Sequence, residues 1–202
     1  VADRAGLDDV ISRALGPLSV TDEVSIELSY HVMKMTRAGL GNAYKPSSAD
    51  NVIAKFIEDL DRKGKKTGKG FYDYPEGGKK LLWPGLAEHF PLADEQPTPE
   101  EVRQRILYVQ AIDSVRCLEE GVVTHPADAD IGSIFGWGFP PYTGGTISFI
   151  ETVGLEAFVA EADRLAEAYG ERFAVPDSLR EMAKSAETFY GRAEAAAHRT
   201  AA

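Results

Sequence analysis

The twelve residues GPLSVTDEVSIE that begin at Gly16 return in altered form as GTISFIETVGLE beginning at Gly145, an offset of 129 residues. Matched positions keep their character: Leu18 with Ile147, Ser19 with Ser148, Asp22 with Glu151, Val24 with Val153. Further along, Pro46 and Pro176 stand before equivalent helical stretches, and Phe71-Tyr72 pairs with Phe189-Tyr190. Almost every apolar pattern around these blocks has helical rather than alternating spacing. A duplication on that pattern predicts two similar helical units and little sheet.

The helices can be placed from their stripes and punctuation. Residues Ala5 to Ala14 read as a helix cut short by Gly16-Pro17, and a short helix carries Leu18, Val20 and Val24. The next is expected from about Ile26 to Arg37, closed by Gly39. After Pro46, the residues Val52, Ile53, Phe56, Ile57 and Leu60 share one face, and Lys65 to Gly70 reads as a loop. Thr98-Pro99-Glu100-Glu101 has the form of a capping box with proline at the first helical position. The stripe of the helix it opens is expected at Val102, Ile106, Val109, Ile112, Val115 and Leu118. From Leu155 to Tyr169 the helical template is followed without a miss, and Pro176-Asp177-Ser178 starts a last helix through Ala186.

Charge and cysteine content exclude some functions. A formal charge of −10 and a pI near 4.9 argue against a nucleic-acid surface or electrostatic binding to an anionic membrane. No apolar run approaches the roughly 20 residues of a membrane span, and no secretory leader is visible. A single cysteine, Cys117, makes no internal disulfide and fits a reducing cytoplasm.

The densest chemistry lies in PADADIGSIFGWGFPPYTGGTISFI, from Pro126 to Ile150. Glycines and the Pro140-Pro141 pair stiffen it and permit unusual backbone angles. Phe135, Trp137, Phe139 and Tyr142 either form a flat apolar wall on a rigid loop or plug the core between helices.

This block, preceded by AIDSVRCLEEGVV, resembles the dehydrogenase part of multifunctional fatty-acid β-oxidation proteins. Those proteins join an enoyl-CoA hydratase to an NAD-dependent 3-hydroxyacyl-CoA dehydrogenase. GKKTGKGFYDY, from Gly64 to Tyr74, resembles the motif that closes the first half of the same C-terminal region. The resemblance covers nearly the whole chain. It implies an all-α fold made of two duplicated helical units of the 6-phosphogluconate dehydrogenase C-terminal-like type. Residues 1–74 would be the first unit, truncated at its start; 75–97 a linker; 98–192 the second unit; and 193–202 a disordered tail. A parent protein beginning before Val1 is expected to oxidise (3S)-3-hydroxyacyl-CoA to 3-ketoacyl-CoA. Its NAD would be bound by an upstream domain, and its partners would be acyl-CoA, a thiolase subunit and a second copy. Similar proteins line the acyl-CoA site with an aromatic, commonly Tyr, shortly before the Gly-Phe-Pro-Pro run. The alignment lands on Phe135, which keeps the ring face and has no hydroxyl to donate.

No catalytic residue is expected in this chain. Gly136-Trp137-Gly138 lacks the third glycine of a dinucleotide fingerprint, and Gly68-Lys69-Gly70 follows no strand. GKKTGKG is one residue short of a phosphate-binding loop and has Gly70 where Ser or Thr would meet magnesium. Lys65, Lys66 and Lys69 are left to meet a CoA phosphate, an acidic neighbour or solvent. The four histidines show neither acid–base nor metal-ligand spacing, and His31 reads as a packing residue on its helix. Asp128 and Asp130 suit the N-terminus of a helix better than a metal. Two rival functions stay open, a non-catalytic helical module that assembles a complex and the substrate domain of a different NAD(P)-dependent dehydrogenase. The aromatic block favours a flat or apolar ligand over a sugar phosphate.

Overall fold

The computed structural model describes residues 16–200, and the chain divides into two compact units at Pro99 and Glu100. The described residues hold ten α-helices and a single two-residue antiparallel pair, β1 (Tyr72–Asp73) with β2 (Leu81–Leu82). The fold is all-α. The helix expected at Ala5 to Ala14 lies outside the described residues.

In the first unit, Pro17 opens α1 (Pro17–Val24), where its missing N–H is no loss. α2 (Ile26–Leu40) follows after one residue, Ser25, and α3 (Ser48–Glu58) runs beside α2. α2 continues past Gly39 and ends at Gly41, whose φ of 52° makes the turn. The decisive signal was the glycine that needs positive φ, because one inside a helix costs only about 1 kcal/mol.

Phe56 centres this unit's core. Its ring lies 4.4 Å from Phe71, 5.7 Å from Phe90 in a stacked pair and 6.1 Å from Trp83. The stretch expected as a linker therefore contributes to the core: Trp83, Leu86 and Phe90 pack there, and Leu86–His89 forms α4. Trp83 also donates its backbone N–H to Phe71 O. The buried Arg62 ties this edge together, donating to Gly70 O at 2.7 Å, Tyr72 O at 3.2 Å and Asp73 Oδ1 at 2.6 Å. Its guanidinium lies 4.2 Å from the centre of the Trp83 ring. Proline and glycine content marked this stretch as irregular, which it largely is; it did not show that the irregular backbone folds back on Phe56.

The second unit starts with α5 (Pro99–Glu119), at the proline of the capping box. It continues with α6 (Pro126–Trp137), α7 (Thr146–Val153), α8 (Leu155–Tyr169), α9 (Asp177–Ser185) and α10 (Phe189–Thr200). α8 has the expected bounds, with Phe158, Ala162 and Leu165 fully buried. On α5 the buried face is Leu107, Tyr108, Ala111, Ile112, Ser114 and Val115, so Val102, Ile106 and Val109 are only half-buried. The Tyr108 ring stacks on Phe158 at 4.3 Å and sets that rotation. Residues 193–200, expected in a disordered tail, continue α10.

The duplication is visible in the elements. α1, Ser25, α2 and α3 match α7, Gly154, α8 and α9 in order. The joint residues have nearly the same backbone, φ 94° and ψ 121° at Ser25 against φ 89° and ψ 130° at Gly154. Each short helix also offers a carboxylate to the same aromatic pair. Asp22 accepts from Phe71 N at 2.8 Å and Tyr72 N at 2.9 Å, and Glu151 accepts from Phe189 N at 2.7 Å and Tyr190 N at 3.2 Å.

Candidate functional site

The aromatic block is a helix, a cap and a turn rather than one rigid loop. Pro126 starts α6, and His125 accepts from Ala127 N through its side chain. Gly138, at φ 74°, ends the helix with its N–H on Ile134 O, while Phe139 N reaches back to Ser133 O at 3.0 Å. Pro140 leads into a 3₁₀ turn, Pro141–Thr143, closed by Thr143 Oγ1 on Pro140 O at 2.7 Å. Gly145, at φ 116°, must be glycine: a Cβ there would stand 2.4 Å from Asp130 Cα.

That approach brings Asp130 to α7. The carboxylate, 3% exposed, accepts from Ile147 N at 2.7 Å, Ser148 N at 3.1 Å, Ser148 Oγ at 2.5 Å and Tyr190 Oη at 2.8 Å. Ser133 Oγ accepts from Thr146 N. Asp130 does cap free N–H groups, as expected, but those of the next helix. Asp128 stays exposed in the first turn of α6. No cluster of three metal-ligating side chains exists among the described residues.

This scaffold divides the four aromatics. Phe139 is fully buried and meets Phe149 edge-on at 6.0 Å. Phe135, by contrast, is 85% exposed, so it is no core residue here, and Trp137 and Tyr142 are exposed as well. Ile131, one turn before Phe135, is also exposed. Beside Tyr142 an open cleft of about 440 Å³ lies between α5 and α7, with walls that include Leu107, Tyr108, Phe149 and Val153. Burial pushes the Tyr108 hydroxyl up to about 12, so it stays protonated at neutral pH.

The other positions singled out in the sequence lie apart from this block. Lys65 pairs with Glu23 at 2.5 Å on a 3₁₀ turn, Lys65–Thr67, instead of lying in a free loop. His31 is exposed, contrary to its expected packing role, and His89 stacks on Trp83 at 5.4 Å. Cys117 is half-buried on α5. Sequence reasoning missed the buried clamp carboxylate Asp22, and for Asp130 it missed that the capped helix is α7. The alignment of Asp22 with Glu151 was the one signal that could have found it.

The fold is an all-α one with a repeated helical pattern, and residues 1–74 match the family model for the C-terminal domain of 3-hydroxyacyl-CoA dehydrogenase. Over most of its length the chain is related to fatty acid oxidation complex alpha subunits. It is 38% identical to that of Shewanella loihica over 87% of this chain and 25% of the relative. Against the alpha subunit of Colwellia psychrerythraea it is 36% identical over 94% of this chain and 27% of the relative. The chain thus spans about a quarter of the length of these relatives.

Proposed function

We propose that this chain forms a wall of the acyl-CoA cleft in an NAD-dependent (3S)-3-hydroxyacyl-CoA dehydrogenase, within a longer polypeptide that also carries enoyl-CoA hydratase activity. The observation that carries this reading is Phe135: a large ring held in solvent by a capped helix, at the position where the resemblance implies a substrate contact. Exposing such a ring forgoes the gain of burying it, about 1.5–3 kcal/mol. A function that uses the ring explains the position better than packing does.

NAD does not fit these residues. The described residues hold no parallel strand–turn–helix unit, and Gly136 and Gly138 belong to the end of α6. Binding of the cofactor and the chemistry on the hydroxyl are assigned to another part of the longer polypeptide, and this chain contributes shape and apolar surface. The same reading includes a thiolase subunit and a second copy as partners, and a cytoplasmic setting. No described helix is long and apolar enough to cross a membrane.

Phe135→Ala in the full-length protein should lower kcat/KM for 3-hydroxyacyl-CoA by about 1–2 kcal/mol, the scale of one aromatic contact. Hydratase activity should be untouched. Because the ring is exposed, the melting temperature should hardly move. Unchanged dehydrogenase kinetics with an unchanged melting temperature would remove the assignment.

A further inference from the structure

The cleft between α5 and α7 lies wholly in the second unit and changes character along its length. One face of α5 enters it at Arg103, Gln104, Leu107 and Tyr108. Arg103 is exposed and Gln104 half-buried, whereas Leu107 and Tyr108 are 8% and 5% exposed. At 1.5 Å per residue the polar pair and the apolar pair stand about 6 Å apart along the helix. Phe149 meets Tyr108 edge-on at 5.7 Å and closes the apolar end.

That end is rigid. Phe149 also meets Phe139 at 6.0 Å and Phe158 at 6.1 Å, and both of those rings are fully buried. A ring held on three sides does not swing in to fill the cleft. Its volume of about 440 Å³ lies within the roughly 300–1,000 Å³ of small-molecule sites. At the polar end the Gln104 amide has no hydrogen-bond partner among the described residues. Arg103 shares its guanidinium with Glu100 at 2.9 Å and keeps further N–H donors. Donors at one end and an apolar floor about 6 Å away suit a hydrocarbon chain that ends in a carbonyl or carboxylate oxygen. A sugar phosphate would set hydroxyl groups against Leu107 and Phe149 without partners.

We propose that this cleft binds the acyl chain of a fatty acid or of its thioester. The hydrocarbon lies on Leu107, Tyr108 and Phe149, and the carbonyl oxygen accepts from Gln104 and Arg103. Phe135 is not part of the lining. The proposal takes its ligand class from the acyl-CoA reading above.

Calorimetric titration of the 202-residue chain with decanoate, decanoyl-CoA and butyrate tests it. Decanoate should bind saturably at one site, and butyrate at least tenfold more weakly because it leaves the apolar end empty. Thr152→Trp, at an exposed position on the wall, should weaken decanoate at least tenfold by filling the cleft. Gln104→Leu should weaken it about fivefold through loss of the donor. The melting temperature should hardly move in either variant. Tighter binding of decanoyl-CoA than of decanoate assigns the site to the thioester, and the reverse order assigns it to the free acid. No saturation below about 5 mM decanoate, or unchanged affinity in Thr152→Trp or Gln104→Leu, would overturn the proposal. Phe135→Ala is read by kinetics, so its expected effect beside a failed titration removes this cleft and leaves the acyl-CoA reading standing.

Discussion

Asp22 is 1% exposed, and burial raises its carboxyl pKa above the ordinary 3.8, against the opposing pull of the Phe71 N–H, the Tyr74 hydroxyl and Arg62. A raised folded value means that the stability linked to this group is complete below 3.8 and is lost as pH rises through the folded value. Asp22→Asn turns an amide NH₂ towards backbone N–H donors and should destabilise the first unit by about 1–3 kcal/mol in urea melts. The gap between wild type and variant should widen as pH is lowered towards 3.8; a constant gap would contradict the direction of the shift. The joint residues make a second test. Gly154→Ser places a side chain at φ 89° and should cost about 1–3 kcal/mol. Ser25 already tolerates that angle with its hydroxyl on Lys63 O at 3.1 Å, so Ser25→Gly should change stability by less than about 1 kcal/mol. A neutral Gly154→Ser would show that the angle relaxes freely. Neither residue announced itself alone: an aspartate in TDEV reads as solvated, and a serine gives no sign of positive φ. The match with Glu151 and Gly154 is the sign each carries, and the roles of both emerged from the structure.

Among the elements, α8 was legible because one face supplies all its burial, whereas α5 was misread because both its flanks are partly covered and periodicity fades. The contacts of α8 with α5 and α9 carry their own pH signature. The hydrogen bond from Arg164 holds Glu101 below its ordinary 4.5, and the one from Arg180 holds Asp163 below 3.8. Lowered folded values give stability that is present above the ordinary values and lost as pH falls through the lowered ones. These pairs are partly exposed, so each contribution is small, but the sign is opposite to that of Asp22. The chain has one tryptophan in each unit, Trp83 and Trp137, and single-tryptophan variants can follow each unit separately. Below about pH 4.5 the Trp137 transition should move to lower urea while Asp22 favours the unit reported by Trp83. Parallel loss in both units would show that the local pairs do not govern acid sensitivity. Phe135 belongs to this scale too: its glycine-rich surroundings suggested a loop, yet Gly132 and Gly136 lie on α6 and their freedom is unused.

For the molecule as a whole, the duplication and its helical spacing made the all-α fold class readable at once. Residues 75–90 belong to the first unit through Trp83, Leu86 and Phe90, and the stretch without regular structure narrows to 90–98. Its residues from Pro91 onward are exposed. Glutamate-specific protease should therefore cut first after Glu95, giving two fragments that persist. An early cut at Glu88, inside α4 and next to Phe90, would contradict this boundary.

The clamps also impose an order of events during synthesis. Asp22 finds its backbone donors 49 and 50 residues further on, and Glu151 finds its own 38 and 39 residues further on. At translation rates of about 5–20 residues per second, Asp22 waits roughly 3–10 s for Phe71 and Tyr72. Until they arrive, closing the unit would bury an ionised group without donors. A nascent first unit stopped short of Phe71 is thus expected to stay open to chaperones and proteases, with Asp22 lacking its donors and Trp83, Leu86 and Phe90 still to come.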